Sequence, residues 1–297
     1  MKKAFTMLEL VMVIIVLGIV ASIGADIIVA LYDNYIRART INALESKTEI
    51  TLEQIAKRFQ YRIKSSTIAR QVGGNFISVS SPLLDNSYPI IEWIGYSNES
   101  FLGTPRPGWS GFIDMFHSDT NSTSQTFRTS DSNLALASNV ISALTSGDIN
   151  LTAGNEAALI FKKPWNIGDF GWGTANNTDG NATVKVRILN DEVLVLSNDT
   201  NLTEIYEQYY LAHTAYAIVP EGDIANEDFN LTLYYNYQPW MGEEYNNNGS
   251  RFPLVEHANL FHFRQDQTLL RFKLCIHDNN ESGIGERVVV CKEKVVY

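Results

Sequence analysis

Residues 1–31 read MKKAFTMLELVMVIIVLGIVASIGADIIVAL, and what the rest of the chain is attached to depends on this stretch. Lys2 and Lys3 precede an apolar segment that opens at Phe5 and carries no charge between Leu10 and Ala25. As a helix, 5–25 would extend roughly 30 Å, close to the hydrocarbon thickness of a bilayer. Glu9 does not fit a simple span. A carboxylate inside an apolar membrane helix is costly to desolvate and so reads as functional. A cleaved secretory signal, with Ala21, Ser22, Ile23, Gly24 and Ala25 as its cleavage region, and a plain anchor both suit the length. Neither explains Glu9.

The helical pattern continues past Ala25. Ile27, Ile28, Leu31, Tyr35, Ile41, Leu44, Thr48, Leu52, Ile55, Phe59 and Ile63 recur mostly at steps of three and four, one face of a helix. Glu53 and Lys57 stand in the favourable i,i+4 order. No Pro or Gly interrupts 26–72, and Gly73-Gly74 is the expected stop. The spacing predicts one helix from Phe5 to about Arg70, roughly 100 Å long, apolar all round at first and amphipathic afterwards. The apolar face is too irregular for strict heptads, so packing on a domain is expected rather than a coiled coil.

From Phe76 the pattern changes to short apolar runs between Gly, Pro, Asn and Ser. Strands are expected at 76–79, 90–94, 111–115, 157–161, 183–189, 192–196, 214–219, 230–237, 259–264, 268–277 and 286–296. Asn190-Asp191 reads as a hairpin turn, 133–145 as a short helix and 164–180 as loop. The expected fold class is α+β: a long N-terminal helix, its first half membrane-embedded, packed on a mainly antiparallel β-sheet head. The expected segments are 1–4, 5–31, 32–72 and 73–297.

KKAFTMLEL resembles the start of the type IV pilin and pseudopilin superfamily: a basic leader, Phe and Thr, an apolar triplet, Glu at the fifth mature position, then an apolar run. Ala4 stands where that family usually has Gly. The resemblance covers about thirty residues strictly and the helix more loosely. It implies cleavage between Ala4 and Phe5 by a prepilin peptidase, N-methylation of Phe5 and a role for Glu9 in assembly. It also implies other pilins or pseudopilins as partners through the stem, and an inner-membrane assembly platform. The chain would then be a single-pass inner-membrane protein with its head in the periplasm, and could enter a periplasmic or extracellular fibre.

The only cysteines, Cys275 and Cys291, flank a hairpin pattern with turn signals at Asn279-Asn280 and 283–285. An exported chain with two such cysteines is expected to join them, closing a loop worth about 3 kcal/mol on the chain-entropy model. Phe261 and Phe263 share one strand face, and Phe272, Leu274 and Ile276 another.

Net charge is −10, which disfavours nucleic acid and anionic surfaces as non-specific partners. Aromatic residues at 11% and charged residues at 19% describe a folded composition. His117, His213, His257, His262 and His277 are dispersed, and the step from His257 to His262 does not make a helical metal pair. Gly108-Trp109-Ser110-Gly111 lacks nucleophile-elbow spacing, and there is no phosphate-binding loop. Asp169 and Asp179 lie in a Gly/Asn-rich run without Ca²⁺-loop register, a pattern more typical of turns. No catalytic role, cofactor, metal or small-molecule substrate is expected.

Asn-x-Ser/Thr occurs at Asn98, Asn121, Asn150, Asn176, Asn181, Asn198, Asn201, Asn230, Asn248 and Asn280. Asp stands two residues before Asn121, Asn150, Asn181, Asn201, Asn230 and Asn280, where a chain with 33 acidic residues in 297 would give about one such case. This resembles the extended acceptor of bacterial oligosaccharyltransferases, and those six are expected to carry N-glycans. An Asn- and Asp-rich surface that favours turns explains the abundance of Asn but not the spacing.

The amphipathic stem, the 254–263 strand and its hairpin look like the J-type minor pseudopilin of type II secretion, which helps prime or cap a pseudopilus. A head of more than 200 residues suits a tip subunit better than a repeating one. A minor pilin of a surface pilus (assembly, adhesion or DNA uptake) and a membrane-anchored extracellular binding module are the alternatives.

Overall fold

The computed structural model describes residues 6–173, 182–197, 202, 204–279 and 287–297. Helix α1 covers Met7–Phe59. There follow β1 (Ile68–Arg70), β2 (Phe76–Ser78), β3 (Ile90–Tyr96), a single turn α2 (Asn98–Phe101), β4 (Thr126–Arg128) and α3 (Leu134–Leu144). Then come β5 (Ala157–Phe161), β6 (Val184–Asn190), β7 (Val193–Leu196), β8 (Tyr209–Asp223), β9 (Asp228–Tyr237), the turn α4 (Tyr245–Asn248), β10 (Ser250–Asp266), β11 (Leu269–His277) and β12 (Val289–Val296). The class is α+β: a long apolar helix at one end and a large antiparallel sheet.

The sheet runs β12-β11-β10-β9-β8-β5-β6-β7-β4, and β3 joins β1 and β2 to β8. Strand β8 is the hub, pairing with β9, β3 and β5. Along β11, Leu270, Phe272, Leu274 and Ile276 are buried while Leu269, Arg271 and Lys273 are exposed, the period-two alternation of a sheet with one face covered. The cover on that face is α1, which packs on β12, β11 and β10. Its buried positions are Leu44, Thr48, Thr51, Leu52, Ile55, Ala56 and Phe59, the expected helical stripe. The Thr48 and Thr51 hydroxyls donate to the carbonyls of Leu44 (2.6 Å) and Lys47 (2.8 Å), so neither is buried unpaired. Phe59 ends the stripe, stacked 4.0 Å from Trp93 and 5.8 Å from Phe272, ring centre to ring centre. A second core gathers α3 against β5, β6 and β7, and a third lies around β3, β8 and Trp240.

The helix stops well short of Arg70. Tyr61, Arg62 and Ile63 leave it to pair with β3: the Ile63 N–H donates to Ile94 O (2.8 Å) and the Tyr96 N–H to Tyr61 O (2.9 Å). β-branched Ile63, Thr67 and Ile68 then favour extended backbone, and β1 forms where helix was expected. Gly73, at φ +65°, serves the β1–β2 turn instead of capping a helix. The amphipathic half therefore closes at Phe59, inside the expected 32–72.

Most expected strands are present, and β8 and β10 are much longer than expected. Segment 111–115 makes only an isolated bridge, Phe112 to Gln208, and β4 was not anticipated. The 133–145 helix is present, with the Asn133 side chain accepting from the Leu136 N–H. Asn190 starts the β6–β7 turn, its side chain accepting from the Glu192 N–H at 3.0 Å. Glu53 pairs with Lys294 of β12 rather than with Lys57 one turn on. The disulfide joins Cys275 and Cys291, direct partners in the β11–β12 register.

The disulfide matters because β12 holds the stem. Cys275→Ser with Cys291→Ser should lower the unfolding free energy by about 3 kcal/mol, read from denaturant midpoints. It should also loosen 287–297 in hydrogen exchange before the rest of the sheet. His213, buried on β8, has its imidazole pushed down to about 4 by desolvation. A depressed value means the folded state holds the neutral ring. That stability is complete above the unfolded-state pKa near 6.5 and is lost as pH falls from there to about 4, amounting to about 3 kcal/mol. His213→Gln should flatten this slope in denaturation curves taken between about pH 7 and about pH 4.

Candidate functional site

Between Met7 and Tyr35, nineteen large apolar side chains are more than half exposed, from Val13 at 51% to Met7 at 86%. At about 1–1.5 kcal/mol each, the hydration penalty is on the order of 20–30 kcal/mol. That exceeds the net stability of a typical domain, about 5–15 kcal/mol. This face therefore requires an apolar surrounding. By length and composition the helix can cross a membrane: its best 18-residue window has mean hydropathy 2.7 and no residue of that window is buried.

Glu9 sits in the first turn of this segment. Its Oε2 accepts from the Thr6 N–H at 3.0 Å and from the Thr6 hydroxyl at 2.9 Å, while the Glu9 N–H donates to Thr6 Oγ1 at 3.4 Å. That is a capping box, with Thr6 as N-cap and Glu9 three residues on. The signature Thr-x-x-Glu is present in the sequence at Thr6 and Glu9. Both accepted bonds fall on Oε2; among the described residues, none falls on Oε1. Ala4 and Phe5, the expected processing site, lie outside the described residues.

The stem is anchored at its other end. Lys292 Nζ lies 2.9 Å from Glu49, and Lys294 pairs with Glu53. Lys292 holds the Glu49 carboxyl below its ordinary value, and Glu53 raises Lys294. These exposed pairs add little energy but fix which way the helix faces β12. Arg62, buried just past the helix end, donates to Phe59 O (2.9 Å), Tyr297 O (3.2 Å) and Thr268 O (3.4 Å). Desolvation pushes its guanidinium down to about 10. A cation at this position complements the carboxyl end of the helix dipole.

The expected glycan acceptors fall in two settings. Asn121 is exposed in a turn, its Oδ1 accepting from the Thr123 N–H at 2.7 Å, and half-buried Asn150 accepts from the Thr152 N–H at 3.3 Å. Asn230 has an exposed side chain, but its backbone lies inside β9, opposite Glu221 of β8. Asn181, Asn201 and Asn280 lie outside the described residues. Asp169 caps a short 3₁₀ turn, accepting from the Asn166 N–H at 3.0 Å, and Asp179 is outside the described residues.

Two of the dispersed histidines meet Asp228 at one end of the sheet. His257 Nδ1 is 3.1 Å and His277 Nε2 3.2 Å from Asp228 Oδ1. The signal that could have found them was strand register rather than helical spacing. The chain matches no protein-family model, and no curated protein or solved structure is significantly similar to it.

Proposed function

We propose that the chain is a minor pilin-like subunit that primes or caps a pseudopilus, in type II secretion, anchored in the inner membrane with its head in the periplasm. The observation that carries this reading is the uncovered apolar half of α1 with Glu9 at its start. A membrane supplies apolar cover before assembly, and the stems of other pilins or pseudopilins supply it within a fibre. Cleavage by a prepilin peptidase before Phe5 would create an α-amino cation. In a staggered bundle, Oε1 of Glu9 is the acceptor for such a cation from a neighbour. Pairing would offset the desolvation of both groups and select one axial register, contributing specificity more than net stability. The large head, fixed to the stem through β12, suits a tip position because a repeating subunit needs a compact one.

The experiment separates the capping role of Glu9 from its charge. Glu9→Gln keeps the capping box, since Gln serves at that position as well as Glu. The variant should be cleaved, membrane-inserted and folded, with mature chains beginning at Phe5 by intact mass. Its cross-linking through the stem to co-expressed prepilins should nonetheless fall about tenfold. Wild-type assembly by Glu9→Gln, or native chains beginning at Met1, Ser22 or Asp26, overturns the reading. Dependence on a co-expressed secretion system rather than a surface pilus identifies the branch.

The six Asp-preceded Asn residues are proposed glycan acceptors, supported by their spacing and by the exposure of Asn121. The two settings predict different timing. Enzymatic transfer onto the refolded head should modify Asn121, while Asn230 should be modified only in chains glycosylated during export, before β9 pairs. Glycopeptide mass spectrometry finding all six bare in the native host discards the assignment.

A further inference from the structure

Ala258 pairs with Phe229 of β9 on one side and with Ile276 of β11 on the other. Asp228, His257 and His277 each adjoin a member of that row, so three strands deliver one carboxylate and two imidazoles to a single point. Their nearest ligand atoms all lie within 4.8 Å of one another.

Two features of the backbone arrange these groups. First, β10 bulges between Val255 and Ala258, and His257 within the bulge has φ +59°. A strand residue other than Gly rarely adopts that conformation. Second, His277 is buried, and its Nδ1 lies 3.0 Å from the Asp278 carbonyl oxygen. A carbonyl only accepts, so Nδ1 carries the proton and Nε2 is the ring nitrogen turned to Asp228. Nε2 of His277 and Nδ1 of His257 thus converge on the same carboxylate oxygen, at 3.2 Å and 3.1 Å. The Arg287 guanidinium touches His277 Nε2 from an exposed position at the rim.

We propose that Asp228, His257 and His277 form a binding site for a divalent transition-metal ion of the zinc class, with Arg287 as a displaceable occupant. The donor set is borderline, two nitrogens and one oxygen, which suits Zn²⁺ and its neighbours; Ca²⁺ and Mg²⁺ prefer oxygen alone. Tetrahedral bonds of about 2.0–2.1 Å place ligand atoms roughly 3.3 Å apart, close to the two distances to Asp228. The hydrogen bond from His277 Nδ1 to a backbone carbonyl is the support that metal-bound imidazoles commonly have. Three protein ligands leave the fourth position for water. Such an ion would fasten β9, β10 and β11 together at the end of the sheet, independently of how the stem assembles.

The test uses the full-length protein in detergent micelles, stripped with a chelator and titrated with ZnCl₂ by calorimetry. CoCl₂ reports ligand geometry by visible absorption. Wild type should bind one Zn²⁺ per chain, show tetrahedral Co²⁺ bands and gain thermal stability. His257→Asn tolerates the left-handed backbone while removing the imidazole, and should weaken Zn²⁺ by about tenfold or more. Arg287→Gln should bind at least as tightly as wild type. If His257→Asn melts earlier than metal-free wild type, Asp228→Asn takes its place, with the same expected loss. No saturable Zn²⁺ binding by wild type, equal binding after loss of a ligand, or preference for CaCl₂ over ZnCl₂ overturns the proposal.

Discussion

The join between stem and head rests on the Phe59 ring, stacked on Trp93 and against Phe272. Trp93 in turn stacks on Tyr216 of the hub strand, 5.4 Å between ring centres. This aromatic column ties the last turn of α1 to β3, β8 and β11. A buried Phe of this kind is typically worth about 3–5 kcal/mol against Ala, a large part of a domain's net stability. The ion pairs of Glu49 and Glu53 with β12 lie on the exposed side of the same contact and select its orientation. N-terminal to Arg37 the helix leaves the head, and its apolar surface is open. The same helix is thus core at one end and interface at the other.

The column also explains why the chain leaves the helix where it does. Beyond Phe59, further helical turns would carry Tyr61–Ile63 away from β3, whose backbone donors and acceptors they satisfy. Arg62 closes the break by donating both its backbone N–H (3.2 Å) and its guanidinium (2.9 Å) to the Phe59 carbonyl. A second buried charge stands nearby. Glu92 on β3 pairs with Arg70 of β1 and accepts from the Tyr237 hydroxyl of β9 at 2.9 Å. Burial raises its pKa, while Arg70 pulls the other way. Arg70 also donates to Trp172 O at 2.7 Å, so the cluster fixes three strands and a loop in one arrangement. Its contribution is to uniqueness more than to net stability, because desolvation offsets much of the attraction.

A rigid head on a half-covered helix constrains function. Among the described residues the head offers no surface over Met7–Tyr35, so it does not meet a hydration penalty of that size. By length and composition the stem can cross a membrane, and lipid would supply the apolar cover that the head does not. The disulfide, the β12 ion pairs and the Asp228–His257–His277 cluster all lie on β9–β12, the half of the sheet that carries the stem. The α3 side is tied differently, by the ion pairs of Arg106 and Arg128 with Glu192.

The sequence by itself determined the elements whose signals are local. An uninterrupted apolar run makes a long helix, Glu9 is conspicuous against it, alternation in 269–277 makes a strand with one covered face, and two cysteines in facing positions of a hairpin join. It did not determine where the helix ends, because Ile63 fits the helical stripe as well as it fits a strand. Only the backbone partners offered by β3 decide between them. Nor could it bring Asp228, His257 and His277 together, since their meeting depends on two strand registers and a bulge, none of which leaves a fixed spacing in the chain. The Thr6–Glu9 cap is the converse, a contact whose Thr-x-x-Glu signal is wholly local. Periodicity is set by each residue's neighbours along the chain; convergence is set by pairing between strands far apart in it, and that only the tertiary structure decided.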